Sequence, residues 1–225
     1  TEMTDDYGQE TENYREPDIL SYDTNLNIIK GILTNQTDKY ADINTFKKTM
    51  QEDYNKMIKS ISNYHGFYVS RYEMSKSSSH TVASVGDVTP LVNDSSNKWY
   101  GLYAYGKKYT NTANSVESSM IWGSQYDAMM RWMQSGDNGI NVTSTIGDTK
   151  NTSTTTKASS TDVMKNVYDL YGCHLEGTLE ANVTYNRVHR GGYNDYSYPP
   201  SNRHYGFSPD NPNGELSTRL TLYIK

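Results

Sequence analysis

Residues 166–225 read NVYDLYGCHLEGTLEANVTYNRVHRGGYNDYSYPPSNRHYGFSPDNPNGELSTRLTLYIK. Two short blocks of strand and turn type come first, NVYDLYG at 166–172 and RVHRGG at 187–192. The glycine pair that ends the second block indicates a backbone turn. A run rich in Tyr, Asn, Asp, Ser, Pro and His follows, and the alternating pattern at 218–225 predicts a closing strand. This order predicts a long polar loop held between two β elements.

A helix is predicted upstream, between Asp42 and Tyr64. Asp42 or Asn44 can serve as its N-cap, and Gly66 ends it. Apolar residues recur at spacings of three, four and seven, which places one apolar stripe on the helix: Phe46, Met50, Met57, Ile58 and Ile61. The segment GFYVSRYEMS at 66–75 then alternates apolar with polar residues and predicts a strand.

Two aromatic segments follow this strand. WYGLYAYGKKY at 99–109 is punctuated by glycine and predicts a hairpin or an irregular pair of strands. SMIWGSQYDAMMRWMQSG at 119–136 predicts a short buried run and then a helix, which Ser124 and Asp127 would begin as a capping box. The predicted buried side of that helix consists of Met129, Met130, Trp132 and Met133. Residues 137–161 contain almost nothing apolar and predict a long loop.

Composition narrows the classes of function. The chain has 225 residues, a formal net charge of -5, and 21 Tyr against 3 Phe. Tyr combines a large contact area with a hydroxyl that can stay hydrated, which suits adaptable binding surfaces, although tyrosines also occupy the rims of small sheets. No basic block indicates a nucleic-acid partner. No apolar run approaches the roughly 20 residues that cross a bilayer, so membrane insertion is not expected.

The sequence contains one cysteine, Cys173, so no disulfide can form within these 225 residues. His174 follows it directly, but neighbouring side chains on a strand point to opposite faces. We therefore expect the two side chains not to meet, and Cys173 to be a buried, inert thiol. The five histidines have no HxH or HxxxH spacing, so the sequence predicts neither a metal site nor a catalytic group.

The order of these motifs resembles the formylglycine-generating-enzyme-like (FGE-sulfatase) family, a branch of the C-type lectin fold. GFYVSRYE is similar to the family's opening strand, and the final strand and the RVHRGG turn are similar to its C-terminal half. The segment around Trp122, Tyr126, Asp127, Ala128 and Trp132 resembles its Tyr-Asp-Ala helix. The resemblance implies an α+β fold with a small twisted antiparallel sheet, two or three helices and much irregular loop. The domain would span residues 44–225, after a polar N-terminal arm or linker at residues 1–43.

The resemblance also bears on activity and cofactors. Oxidases of this family use a cysteine pair that binds copper, located after the Arg-Gly-Gly turn. Residues 193–219 contain no cysteine, and thiolates are the soft ligands that Cu(I) prefers. Oxidase activity is thus not expected. If the protein is nevertheless an enzyme, the alternative is an iron- or copper-dependent oxidase like other members of this superfamily. Calcium-binding members have an Asn ligand where this chain has Cys173, and a thiol is a poor calcium ligand, so no cofactor is predicted.

The predicted binding surface is the loop at residues 193–213. Aromatic residues alternate there with short hydrogen-bonding side chains, and prolines stiffen the path, as in recognition loops. Asn, Ser, Asp and Pro are also common in loops for conformational reasons alone. The predicted ligand-binding residues are Tyr193, Asn194, Asp195, Tyr196, Tyr198, Ser201, Asn202, His204, Tyr205, Ser208, Asp210, Asn211 and Asn213.

This loop also resembles the variable region of proteins diversified by retroelements, in which adenine-directed mutation turns Asn codons into Tyr, Ser, Asp and His codons. The predicted function is non-catalytic display of this surface to a protein or glycan ligand. The protein would belong to a phage particle, the bacterial surface or the secreted fraction, and could form homo-oligomers through its arm and first helix. The alternatives are a domain of fixed specificity and a structural subunit whose loop tyrosines pack against neighbours.

Overall fold

The computed structural model is an α+β protein. Its described part contains three helices and several small antiparallel or mixed sheets. Within that part, no helix is long and apolar enough to cross a membrane. The described residues are 14–16, 43–76, 82–93, 98–109, 115–137, 139–144, 152–156, 161–182, 186–194, 198–207, 209 and 211–225.

The larger sheet contains the two blocks that flank the predicted loop. Its strands are β1 (Tyr14–Arg15), β7 (Leu175–Asn182), β8 (Asn186–Arg190), β9 (Arg203–Phe207) and β10 (Leu216–Ser217). The order of hydrogen-bonded neighbours is β1–β7–β8–β9, and β10 pairs with β7 in parallel. Strand β9 lies inside the segment predicted to be a loop, so part of that segment is regular structure.

The second sheet places the final strand at its centre. Its strands are β2 (Tyr68–Ser75), β3 (Ala83–Ser84), β4 (Val116–Met120) and β11 (Arg219–Ile224). Their order in the sheet is β3–β2–β11–β4, and β11 pairs antiparallel with both of its neighbours. A separate two-stranded ribbon joins β5 (Val163–Met164) to β6 (Val167–Tyr168). The strands predicted at 66–75 and 218–225 are therefore confirmed, within two residues of their bounds.

Part of the predicted N-terminal arm belongs to the larger sheet. Tyr14 lies opposite Asn182 and Arg15 lies opposite Ala181, in antiparallel register. Glu16, the next residue, is fully buried. The remainder of residues 1–42 lies outside the described residues.

Helix α1 (Ile43–Tyr64) confirms the predicted amphipathic helix. Phe46, Met50 and Met57 are buried in the main apolar core. Ile58, however, is 45% exposed, so its predicted place in the stripe is wrong. Because successive helical residues are rotated by about 100°, Ile58 points away from the core that its neighbour Met57 enters.

Helix α2 (Lys98–Gly106) occupies the segment for which a hairpin was predicted, and that prediction is wrong. Nearly every residue of the helix is buried, so its sequence has no polar face and no helical period. The rings of Tyr100 and Tyr103 pack edge-on against Phe46, with centroids 5.7 and 5.6 Å away. Trp99 donates its indole N–H to the Thr178 carbonyl at 3.0 Å, which fixes the helix against β7.

Helix α3 (Gly123–Gln134) begins differently from the predicted capping box. The amide of Trp122 donates to Gln125 Oε1 at 3.1 Å, and a carboxylate from outside the helix binds the next two amides. Asp127 is buried and forms ion pairs with two arginines, so it is not available as a cap. The prediction of a Ser124–Asp127 box is wrong because tertiary ion pairs determine where Asp127 points.

The predicted buried face of α3 is confirmed for its methionines only. Met129, Met130 and Met133 lie in a second apolar core cluster beneath the helix. Trp132 is 46% exposed, and the Lys165 ammonium lies 5.2 Å from its ring centroid. The described parts of the predicted loop at 137–161 form neither helix nor strand, although Val142 is fully buried.

Candidate functional site

Strand β7 carries two carboxylates into the protein interior. They are Glu176 and Glu180, and both are buried. Glu176 accepts the Arg219 Nε–H at 3.0 and 3.1 Å, which joins β7 to β11. Glu180 belongs to a larger group of charges beneath the C-terminal segment.

This loop-supporting charge cluster consists of Glu16, Asp127, Glu180, Arg190 and Arg203, all buried. Asp127 bridges the two arginines: Oδ1 lies 2.7 Å from Arg190 Nη2, and Oδ2 lies 2.6 Å from Arg203 Nη2. Glu180 Oε1 lies 2.9 Å from Arg203 Nε, and its Oε2 lies 3.7 Å from Arg190 Nη1. The cluster thus connects α3, β7, β8 and β9.

Glu16 joins the cluster to the N-terminus of α3. Its carboxylate accepts the Gly123 amide at 2.6 Å and the Ser124 amide at 3.1 Å. A carboxylate at this position satisfies amides that have no partner within the helix and interacts favourably with the helix dipole. The segment containing β1 therefore caps a helix more than a hundred positions away in sequence.

The cluster contains more acids than bases, and this raises carboxyl pKa values. Three carboxyl groups share two guanidinium groups in a buried environment. Burial raises the pKa of Glu180 to about 8, although Arg203 and Arg190 act in the opposite direction. Burial also raises the pKa of Glu16 to about 7, against the hydrogen bonds from Ser124 and Gly123. The cluster consequently takes up protons close to neutral pH.

The cluster also fixes the backbone of the C-terminal segment. Arg190 donates to the carbonyl of Asn202 and to that of Ser201, each at 3.0 Å. The Tyr126 hydroxyl donates to the Pro200 carbonyl at 3.0 Å. Residues 200–202 are therefore held from beneath by side chains that lie outside the segment.

The Arg-Gly-Gly turn is confirmed and has a steric cause. Gly191 has a φ of +73°, in the left-handed region that favours glycine. A Cβ at Gly192 would lie 2.3 Å from the Tyr171 carbonyl oxygen. The close approach of this turn to residues 170–171 leads the chain out of β8 and over the charge cluster.

On the side of β8 and β9 opposite Arg190 and Arg203, three rings form an aromatic group. His189 lies opposite His204 in the strand register, and their ring centroids are 5.5 Å apart at an interplanar angle of 24°. The Tyr198 ring lies 4.6 Å from that of His204. All three residues are half-buried, and the Nδ1 atom of His189 is enclosed. We call this the ring group.

The imidazoles of the ring group are neutral at physiological pH. Burial, followed by the charge of His204, lowers the pKa of His189 below its ordinary value. Burial also lowers the pKa of His204. The ring group therefore offers aromatic faces and neutral imidazole nitrogens rather than positive charge.

The structure divides the thirteen predicted binding residues. Tyr198 and His204 contact each other in the ring group. Four asparagines also reach solvent. Asn211 is exposed, and the half-buried ones are Asn194, Asn202 and Asn213. Tyr205 lies in β9 opposite Val188. The residues outside the described part of the chain are Asp195, Tyr196, Ser208 and Asp210.

Two of the predicted binding residues support the segment from within. Tyr193 is 8% exposed and belongs to the main apolar core, and Ser201 is 3% exposed. Asn211 and Asn213 are held on a separate support, because the buried Asn93 donates its side-chain amide to the Asn211 carbonyl and pairs with Asn213 through the backbone.

Sequence reasoning missed His189 as a surface residue. The available signal was the alternation within RVHRGG, because an inward Arg190 requires its neighbour His189 to point outward. The partners of the arginines had no local signal, since Asp127 is 63 positions from Arg190 and 76 from Arg203.

The expectation that Cys173 and His174 do not meet is wrong. Cys173 Sγ lies 3.3 Å from His174 Nδ1. Both residues precede β7, which begins at Leu175, and Cys173 has a φ of +63°, so strand alternation does not apply to them. Burial raises the pKa of the Cys173 thiol far above its usual value, and the nearby carboxylates of Glu73 and Asp169 raise it further.

A groove of about 420 Å³ lies elsewhere, along β2, β3 and β11. None of the predicted binding residues lines it, and the most exposed of its large hydrophobic side chains is Tyr68, at 63%. Tyr68 therefore provides an aromatic control for experiments on the ring group.

Replacing Arg190 with Met should destabilise the protein by about 3–5 kcal/mol, because it leaves buried carboxylates without their cation. Urea unfolding measures this loss. Lys48→Met is the control, since Lys48 and its partner Glu52 are 79% and 55% exposed, and should cost less than about 1 kcal/mol. Equal losses in the two variants would contradict a supporting role for the cluster.

The contribution of Glu16 to the stability of the protein should fall as the pH rises from about 5 to 7. The pKa of Glu16 is raised to about 7 in the folded state, so the folded protein binds more protons than the unfolded chain between these values. Glu16→Gln should flatten the dependence by on the order of 2–3 kcal/mol. Chemical unfolding at several pH values measures it, with the exposed Glu52→Gln as control. Parallel curves for Glu16→Gln and the unmodified protein would refute the assignment.

Comparison with other proteins provides no assignment for this site. No family model, curated protein or solved structure among those compared matches the chain. The function is therefore inferred from the residues and geometry described above.

Proposed function

We propose that this chain is a non-catalytic binding protein that presents residues 193–213, together with His189, to a protein or glycan on another surface. One observation carries the proposal. The segment is fixed from beneath by the loop-supporting charge cluster, whereas the ring group lies half-buried on the other side of the same strands. Support and contact surface are thus provided by different residues.

The chemistry of this surface suits recognition. Tyr198, His189 and His204 provide aromatic area with few rotatable bonds, and Asn side chains provide adaptable hydrogen bonds. Because hydrogen bonds to Arg190 and Tyr126 already fix residues 200–202, binding requires little further ordering of the backbone there. Neutral imidazoles also favour sugar hydroxyls or a mixed protein surface over a strongly acidic partner.

A C-type-lectin fold of the formylglycine-generating-enzyme-like branch is the architecture that we propose. In its support, the chain is α+β, its final strand is central in a small antiparallel sheet, and its Arg-Gly-Gly turn leads directly into the candidate surface. The copper-dependent chemistry of that branch uses two cysteines, and this chain has one. A place on a phage particle, on the bacterial surface or among secreted proteins fits such a display role.

We further propose that the segment varies in nature through a diversity-generating retroelement. A fixed support and an outward ring group would allow contact residues to change without loss of the fold. Sequencing the gene across a growing population tests this origin. Substitutions confined to adenine-derived positions in codons 193–213 are expected, and an invariant segment would leave a binder of fixed specificity.

Binding should depend on the ring group. The unmodified protein, the double variant Tyr198→Ala/His204→Ala and the control Tyr68→Ala are applied to a defined glycan array and an array of purified bacterial surface proteins. The double variant should bind its target at least about tenfold more weakly, because central aromatic residues contribute most to interfaces. Tyr68→Ala should bind normally. Unchanged binding by a folded double variant would contradict this assignment.

A further inference from the structure

Three potential metal-binding side chains converge away from the binding surface described above. Glu73 comes from β2, and Cys173 and His174 come from the turn before β7. Their relative exposures are 0%, 0% and 4%. One carboxylate oxygen, the sulfur and one ring nitrogen all lie within 4.8 Å of one another.

The spacing of these atoms fits a tetrahedral ion. His174 Nδ1 lies 3.3 Å from Cys173 Sγ and 3.4 Å from Glu73 Oε2. Zinc bonds of about 2.3 Å to sulfur and about 2.0–2.1 Å to nitrogen and oxygen, at tetrahedral angles, separate neighbouring ligand atoms by roughly 3.3–3.6 Å. Two of the three distances between ligand atoms, from sulfur to nitrogen and from nitrogen to oxygen, therefore suit such a site.

Glu73 Oε1 accepts the His174 backbone amide at 3.2 Å, but Oε2, which is buried, has no hydrogen-bond partner among the described residues. Both the thiol and this carboxylate oxygen face the same nitrogen, His174 Nδ1. If that nitrogen carries a proton, it can donate to Glu73 but cannot accept from the thiol, which then has the Glu73 carboxylate as its acceptor. If it carries none, it can accept from the thiol but has nothing to donate to the carboxylate. A metal ion bound to the sulfur, the nitrogen and the oxygen satisfies all three at once.

Charge balance favours a divalent ion. A buried carboxylate is costly without a compensating positive charge, which a protonated His174 or a bound cation can supply, and the neighbouring Arg219 is already paired with Glu176. A thiolate and a carboxylate together neutralise one divalent cation. The mixture of sulfur, nitrogen and oxygen ligands suits zinc, whereas calcium prefers oxygen ligands alone.

We propose that Glu73, Cys173 and His174 form a zinc site with a structural role. None of the three lines any of the four grooves found among the described residues, and all three side chains are buried, as in a structural site. The Cys173 carbonyl accepts the Asn194 amide at 3.2 Å. The ion would thereby fix the turn on which the start of the candidate binding segment rests.

Cobalt(II) substitution tests the site directly, because Cys173 is the only cysteine in the chain. The full-length protein is stripped of metal with a chelator and titrated with Co²⁺. A near-ultraviolet thiolate-to-cobalt charge-transfer band is expected, saturating at about one Co²⁺ per chain and lost on addition of Zn²⁺. Any such band must arise from Cys173.

Zinc content provides the second measurement. Protein produced with zinc in the medium should retain about one zinc per chain after desalting, and Cys173→Ser should reduce this at least about tenfold. His65→Ala removes an exposed histidine and should retain the metal, which controls for surface binding. Absence of the cobalt band from the folded, unmodified protein would overturn the proposal, and so would equal zinc retention by Cys173→Ser. The cobalt result does not depend on whether Cys173→Ser folds, because that titration uses the unmodified chain.

Discussion

The ion pairs between Asp127 and the two arginines, Arg190 and Arg203, determine how the rest of this structure is arranged. They join a helix to two strands of the larger sheet, and Glu180 joins both arginines to a third strand. Burying such charges costs several kcal/mol each in desolvation, so they specify a geometry more than they add stability. Removal of one partner is costly, and the positions of the backbone segments that carry the partners are therefore strongly constrained.

Strand β7 contributes a carboxylate to each of the two charged regions. Leu175 and Leu179 lie in the main apolar core, whereas Glu176 and Glu180 each bind arginine. Glu176 connects β7 to the final strand, and Glu180 connects it to the strands beneath the candidate surface. The polar C-terminal segment can consequently present its amides and its half-buried rings, because Glu180 and Arg190, which help to fix its position, lie outside it.

The sequence predicts those elements whose signal is local. Phe46, Met50 and Met57 repeat with a helical period, and the final strand alternates, so both were found. Helix α2 was missed because it is buried on nearly all sides and has no period to detect. Asp127 resembled a cap residue, since nothing near it in sequence indicates arginines 63 and 76 positions away. The convergence of Glu73 with Cys173 and His174 was likewise undetectable, because it depends on a left-handed backbone at Cys173 and on a strand a hundred residues earlier.

We propose that the support of the C-terminal segment and its contact surface are separate sets of residues. Saturation mutagenesis with surface display and protease selection measures this most directly, because it reports folding for every substitution. We predict that most substitutions at Tyr198 and His204 preserve protease resistance, whereas few substitutions at Arg190 and Arg203 do. Similar intolerance at all four positions would contradict this separation, because the half-buried rings would then be part of the structural core.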